Sequence, residues 1–366
     1  MPAPSDVRYM KQALVLAERG RYTTDPNPRV GCVIVKAGRV IGCGWHQRAG
    51  QPHAEVNALN TLSDSAEDAT AYVTLEPCSH FGRTPPCCDA LIESGVSRVV
   101  VAMEDPNPQV SGQGIRRLRA AGVRVDIGVC EDQARQLNRG FMKRMSAQLP
   151  WVRAKVGMTL DGCTALSTGE SKWITSEASR HDVQFWRAQS SCIVTGVDTV
   201  LVDDPGLNVR LSPADLGLEV GPVRQPLRVV LDTHGRLQKA DHFFQAEGDI
   251  LLLTSVPHHP MSHYCDVMQI EQNGQGQLSL PHVLKGLVDR GMNDVLIEAG
   301  STLTGAFLST GCIDELVCYV APIVFGHLGR HAFTMPELLR MTDRVDMDLV
   351  EVTQIGDDVR LIYRLR

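Results

Sequence analysis

The sequence predicts two α/β domains in series, and three observations carry that prediction. The chain has 366 residues, beyond the roughly 100–200 of a typical single domain. Apolar runs of strand length alternate with segments of helical periodicity, the signature of helices layered on a largely parallel sheet. The pattern then restarts across residues 146–151 (SAQLPW), which divides residues 1–147 from 148–366.

In the first part, DVRYMKQALVLAERG carries apolar residues at helical spacing between Asp6, read as an N-cap, and Gly20. RVGCVIVKAGRVIGCGWH reads as a hairpin turning near Ala37-Gly38. HAEVNALNTL follows as helix, TAYVTL as strand, PPCCDALIESG as helix and SRVVVAM as a buried strand. GIRRLRAAG, VRVDIGV and EDQARQLNRGFMKRM continue as helix, strand and helix. In the second part WVRAKVGMTLDG is a strand, SEASRHDVQFWRAQ a helix, and SCIVTG and PLRVVLD strands. NDVLIEAG is a strand feeding the helix STLTGAFLSTG, and ELVCYVAPIVFG is a further strand. Residues 211–225 read as a Pro- and Gly-containing loop, and residues 238–280 show no decisive pattern.

Composition narrows the function. A 43% hydrophobic and 21% charged chain is ordinary globular material. A net charge of −6 and few aromatics argue against a nucleic-acid partner and favour a small molecule. No apolar stretch is long enough to span a bilayer, and MPAPSDVRYMKQ lacks a signal-peptide core. Eleven scattered cysteines, several within apolar runs, suit a reduced cytoplasmic protein better than a disulfide framework.

Three cysteines stand apart from that background: Cys78, Cys87 and Cys88. His53-Ala54-Glu55 followed by Pro77-Cys78 and Cys87 offers one imidazole and two thiolates. Three protein ligands leave zinc a fourth position for water, the catalytic arrangement, in which the water's pKa falls to about 7. Glu55 lies beside the metal without being needed as a ligand, which suits a proton shuttle from water to a leaving amine. Cys87, opening a helix after Pro85-Pro86, benefits from the helix dipole, whereas Cys88 reads as core. His-x-Glu with Pro-Cys-x-x-Cys is the zinc-deaminase signature. Here SHFGRTPP separates the two thiols, an eight-residue insert that brings His80 and Arg83 beside the metal and suits an anionic substrate group.

In the second part no G-x-G-x-x-G follows a strand, so a standard dinucleotide fingerprint is absent. NDVLIEAG instead runs into Gly300-Ser301-Thr302-Leu303-Thr304-Gly305-Ala306 at a helix start, where unpaired N–H groups suit a phosphate or a plain N-cap equally. Lys155 lies in an otherwise apolar strand, either a buried functional cation or a face residue.

TLEPCSHFGRTPPCCDALI, DPNPRVG, HAEVNAL and EDPNPQVSGQG resemble the deaminase half of the bifunctional riboflavin biosynthesis deaminase/reductase family. The resemblance continues through AKVGMTLDG, TGESKWITS, RAQSSCIVTG, DDPGLNVR and EAGSTLTGAFL, and is weakest over residues 211–290. It implies a cytidine-deaminase-like first domain and a dihydrofolate-reductase-like second domain. It implies His53, Cys78 and Cys87 as zinc ligands and Glu55 as catalytic acid/base. Asn27, His46, His80, Arg83, Asp105 and Asn107 are then expected around a phosphorylated aminopyrimidine, although the Asn-Pro pairs also suit plain turns. NADPH is expected at Gly157, Trp173, Thr199, Asp203 and residues 300–306. Ser171, Arg187, Leu207, Arg210 and Glu298 are expected to hold the substrate, the arginines as phosphate forks and Glu298 as acceptor for pyrimidine amino groups.

The implied chemistry is deamination of the pyrimidine followed by reduction of its ribosyl chain. Two rival readings are a nucleoside or transfer-RNA deaminase with an unrelated second domain, and a zinc-stabilised binding protein. Assembly into a homo-oligomer is compatible with the residues and not fixed by them.

Overall fold

The computed structural model describes residues 2–79, 86–107, 110–218, 221–238 and 241–366. They fall into two compact units, Met1–Gln148 and Leu149–Arg366.

The first unit opens with α1 (Pro4–Glu18), which starts at a proline whose missing N–H costs nothing in a first turn. Asp6 is therefore not the N-cap expected of it. It lies inside the first turn, and its buried carboxylate accepts from the Tyr72 hydroxyl and from two nitrogens of Arg98, each at 2.8 Å. The apolar stripe Tyr9, Met10, Ala13, Leu14 and Ala17 faces the core.

Strands β1 (Gly31–Lys36) and β2 (Arg39–Trp45) form the expected hairpin. Ala37 and Gly38 both take positive φ, 48° and 75°, the conformation a two-residue hairpin loop needs. Next come α2 (Ala54–Asn60), β3 (Thr70–Val73), α3 (Cys87–Glu93), β4 (Arg98–Val101), α4 (Gln113–Ala120) and β5 (Arg124–Ile127). The sheet order is β2-β1-β3-β4-β5, with β3, β4 and β5 parallel and β1 antiparallel to both of its neighbours.

The expected closing helix is two helices, α5 (Glu131–Leu137) and α6 (Arg139–Ala147). Asn138 breaks it because its side chain clasps the Arg29 backbone, accepting from N–H at 2.8 Å and donating to the carbonyl at 2.9 Å. Helices α1 and α5 touch on one face of the sheet while α2, α3 and α4 touch in series on the other, giving three layers.

Two glycines fix how closely helices approach the hairpin. A Cβ on Gly31 would lie 2.0 Å from the Ala13 carbonyl oxygen, and one on Gly44 would lie 2.4 Å from the Ala58 nitrogen. Helices α1 and α2 therefore rest on bare main chain.

The second unit runs β6 (Trp151–Thr159), β7 (Cys163–Ala165), α7 (Glu177–Gln189), β8 (Cys192–Gly196), α8 (Val197–Asp203) and β9 (Leu227–Leu231). It continues with α9 (Asp241–Gln245), β10 (Ile250–Thr254), β11 (Asp266–Gln269), α10 (Leu280–Asp289), β12 (Asp294–Ile297) and α11 (Ser301–Ser309). It ends with β13 (Glu315–Ala321), β14 (Arg330–His331), β15 (Met347–Ile355) and β16 (Asp358–Leu365).

Nine strands form one sheet in the order β11-β10-β9-β8-β12-β6-β13-β16-β15, parallel from β11 to β13 and antiparallel over the last two. Fully buried central strands such as Cys192–Val194 and Leu251–Leu253 explain the continuous apolar runs, since helices cover both faces. Helix α7 is capped by Ser176, whose hydroxyl accepts from the Ser179 N–H at 3.2 Å.

Candidate active sites

In the first unit the chain delivers its ligand set from two helix starts and one strand exit. His53 is the N-cap of α2, Cys87 opens α3, and Cys78 follows β3. Their ligand atoms all lie within 4.8 Å of one another, close enough to share one ion. His53 Nδ1 stands 3.6 Å from Cys78 Sγ and 3.2 Å from Cys87 Sγ. The Cys87 N–H donates to Cys78 Sγ at 3.3 Å.

Hydrogen bonding from Cys87, with further help from His53, brings the Cys78 thiol down to about 4 against the opposing effect of burial. The thiolate of Cys78, together with burial, pushes Cys87 up in turn. Cys88 turns away: its thiol faces the Pro77 and Gly114 carbonyls at 3.2 and 3.6 Å, as expected of a core residue.

Glu55 lies in the first turn of α2 and is 3% exposed. Its Oε2 is buried with no hydrogen-bond partner among the described residues. Burial, reinforced by the charge of Cys78, raises its pKa to about 7. A carboxyl poised near neutrality can both take and return a proton. The donor set and this orphaned oxygen together fit a zinc ion with an open position.

Asn27 and His46 join the cluster. Asn27 Nδ2 donates to His46 Nε2 at 3.1 Å, and His46 Nδ1 faces the Pro52 carbonyl at 3.2 Å. That carbonyl requires Nδ1 to carry the proton. The His46 ring also meets His53 edge-on at 5.3 Å between centroids. Burial lowers the His46 pKa, so the ring stays neutral.

Asp105 and Asn107 form a local turn in which the Asp105 carboxylate accepts from the Asn107 N–H at 2.8 Å. His80 and Arg83 lie outside the described residues. The sequence reading missed Glu76. Its buried carboxylate accepts from four backbone N–H groups, those of Asp105, Gly112, Gly114 and Ile115, at 2.8–3.2 Å. A carboxylate between an apolar strand and Pro-Cys was the only available signal.

The second unit contains a cavity of about 710 Å³ whose wall gathers most of the expected positions. Gly157, Trp173, Thr199, Asp203, Gly300 and Ser301 line it, as do Ser171, Arg187, Leu207, Arg210 and Glu298. Thr302, Leu303, Thr304, Gly305 and Ala306 are not in that wall. Gly305 packs instead against main chain, where a Cβ would come within 2.1 Å of the Thr334 oxygen, whereas Gly300 faces open space.

Arg187 does not present a free fork. Its Nε and terminal nitrogen bind both Glu298 oxygens at 2.6 and 3.0 Å, and it donates to the Asn208 carbonyl at 3.1 Å. Lys155 Nζ lies 3.2 Å from the same carboxylate and also lines the cavity. Burial alone would raise the Glu298 pKa, yet Arg187 and Lys155 hold it at about 2. Arg210 is an exposed arginine of the wall, as is Arg330.

The comparisons agree with this division. The family described as "RibD C-terminal domain" matches residues 150–361, and "Cytidine and deoxycytidylate deaminase zinc-binding region" matches residues 4–103. The riboflavin biosynthesis protein RibD of Escherichia coli (strain K12) is 46% identical over 361 residues, covering 97% of this chain and 98% of its own. The chain belongs to the RibD family. Among solved structures, Acinetobacter baumannii RibD, form 1, matches with a TM-score of 0.90 at 45% identity over 99% of both chains. A diaminohydroxyphosphoribosylaminopyrimidine deaminase/5-amino-6-(5-phosphoribosylamino)uracil reductase of Thermotoga maritima matches with a TM-score of 0.87 at 32% identity, again over 99% of each chain.

A RibD-family chain is a bifunctional deaminase and reductase of riboflavin biosynthesis. Its first unit is a cytidine/deoxycytidylate deaminase domain with a His/Cys/Cys zinc site, and its second a RibD reductase domain served by a nicotinamide cofactor. That membership sets aside the transfer-RNA deaminase and the inert zinc protein. No described helix is long and apolar enough to cross a membrane.

Proposed function

We propose that residues 1–147 deaminate 2,5-diamino-6-ribosylamino-4(3H)-pyrimidinone 5′-phosphate and that residues 148–366 then reduce the ribosyl chain to ribityl with NADPH. The observation that carries the deaminase half is the unpartnered, buried Glu55 oxygen beside three convergent ligand atoms. His53, Cys78 and Cys87 would hold zinc, which when bound supplies Lewis acidity that makes a water acidic near pH 7.

Glu55 accepts the proton of the attacking water as a C–O bond forms at the amine-bearing ring carbon. It then returns that proton to the amine nitrogen as the C–N bond breaks and ammonia leaves. Asn27 and the neutral His46, linked at 3.1 Å, offer a fixed polar edge to the ring. Asp105, Asn107, His80 and Arg83 are assigned to the remainder of the pyrimidine phosphate.

In the reductase half, Gly157, Trp173, Thr199, Asp203 and the segment 300–306 are assigned to NADPH. The open space at Gly300, where the nine-residue α11 begins, supports a phosphate there. Ser171, Arg187, Leu207, Arg210 and Glu298 are assigned to the substrate. Arg210 carries the phosphate contact, while Arg187 shapes the wall through Glu298. The chemistry asks the protein chiefly to hold nicotinamide and sugar carbon face to face. Eleven cysteines without a disulfide support a reducing, cytoplasmic setting.

Ammonia release from the diaminopyrimidine phosphate, compared between the wild type and Glu55→Gln, tests the first half. The variant is expected to lose roughly 10²–10⁴-fold in rate while retaining its zinc. A wild-type rate in that variant removes Glu55 from the mechanism. Comparing NADPH with NADH as reductant in the same preparation tests the cofactor assignment, and equal kcat/KM would overturn it.

A further inference from the structure

Arg228 lies within β9, is 1% exposed, and has no carboxylate at ion-pair distance among the described residues. Its two terminal guanidinium nitrogens are spent on main chain, while its buried Nε has no partner among the described residues. One terminal nitrogen donates to the Gly206 carbonyl at 3.2 Å and to the Phe243 carbonyl. The other donates to the carbonyls of Ala246 and Gly248 at 2.8 and 2.5 Å. The group also sits 4.9 Å from the centre of the Phe243 ring. Burial lowers its pKa to about 10, so it stays a cation.

The segments it joins are parts of the cavity wall. Asp204, Pro205, Gly206, Leu207, Arg210 and His242 all line the cavity. Helix α9 has only five residues and cannot sustain itself in water. It is held from both ends: the Asp204 carboxylate accepts from the His242 and Phe243 N–H groups at 3.0 and 2.7 Å, while Arg228 satisfies carbonyls at and beyond its last turn. Between these ties Leu207 takes φ 47°, a left-handed conformation that a non-glycine residue adopts only when its surroundings impose it.

We propose that Arg228 is a positioning residue of the reductase, a buried fork that fixes the 203–210 segment as a preformed wall for the pyrimidine phosphate without touching it. This rests on the reading of the cavity as the reduction site. An arginine is needed because a planar fork reaches four carbonyls on two segments, whereas a lysine presents three donors from one point. A preformed wall spares the ligand the cost of ordering a loop, so its loss should appear in substrate affinity.

The test is steady-state reduction of the deaminated pyrimidine phosphate by the full zinc-loaded chain carrying Arg228→Lys or Arg228→Met. The KM for the pyrimidine phosphate is expected to rise about tenfold in the lysine variant and further in the methionine variant. Ammonia release by the same preparation, from the other unit, serves as the internal control. A purely structural residue would reduce the folded fraction, lowering apparent kcat and leaving KM unchanged. A KM within about twofold of wild type in the lysine variant, or failure of both variants to fold, overturns the proposal. Arg210→Ala separates the two levels. Unaltered reduction in that variant sinks the cavity reading, whereas impaired reduction there beside an unaltered Arg228 variant sinks only the role of Arg228.

Discussion

Buried charges in this chain are satisfied in two ways, and the distinction decides what a substitution does. Glu298 is matched by opposite charge from Arg187 and Lys155, whereas Glu76 is matched by four backbone N–H groups. One Glu76 oxygen serves Asp105 and Gly112, and the other serves Gly114 and Ile115. An isosteric Gln cannot replace it in either orientation, because its amide nitrogen must face two donors. Glu76→Gln should therefore destabilise the first unit by about 1–3 kcal/mol for each orphaned donor. Chemical denaturation followed on the deaminase unit reads this directly, and an unchanged midpoint would show that water takes the place of the carboxylate. Of the site residues, His53, Cys78 and Cys87 were legible in the sequence because zinc ligation needs those side-chain types. Glu76 and Arg228 were not, since their partners are main-chain atoms that carry no residue type.

Elements were legible where local periodicity and tertiary packing ask for the same thing. The hairpin at Ala37-Gly38 and the Ser176-capped helix α7 are of this kind. Helices α5 and α6 read as one because both halves are helical in pattern, and the break depends on Asn138 reaching Arg29, 109 positions away in the chain. Strands β10 and β11, within the span that showed no decisive pattern, are ordered by pairing with β9 and with each other. Another long-range tie makes a pH prediction. Asp6 on α1 holds Arg98 on β4, and hydrogen bonds from Arg98 and Tyr72 keep the Asp6 pKa below its ordinary value despite burial. A depressed carboxylate pKa contributes stability above the unfolded value of about 3.9, and that contribution disappears as pH falls through the folded value. Wild type should exceed Asp6→Asn in stability near neutrality, with the gap closing as pH drops below about 4. A gap that persisted undiminished in strong acid would mean the carboxylate's charge is irrelevant to the tie.

At the scale of the molecule, two chemistries share one chain but not one set of requirements. Among the described residues the metal-ligand cluster lies in the first unit, so a chelator should abolish ammonia release and leave reduction of the deaminated pyrimidine by the nicotinamide cofactor intact. Ammonia assay and NADPH oxidation on one chelated sample would check this, and joint loss would contradict it. The glycine seats under α1 and α2 bear on the same site. His53 and Glu55 ride at the front of α2, and where that helix meets Gly44 the spacing is set by the radii of main-chain atoms, with no rotamer in between to absorb a change. A single methyl added at Gly44 would lever the whole rod outward, carrying His53 and Glu55 away together. The enzyme's reactivity thus hangs on a residue that has no side chain to react with.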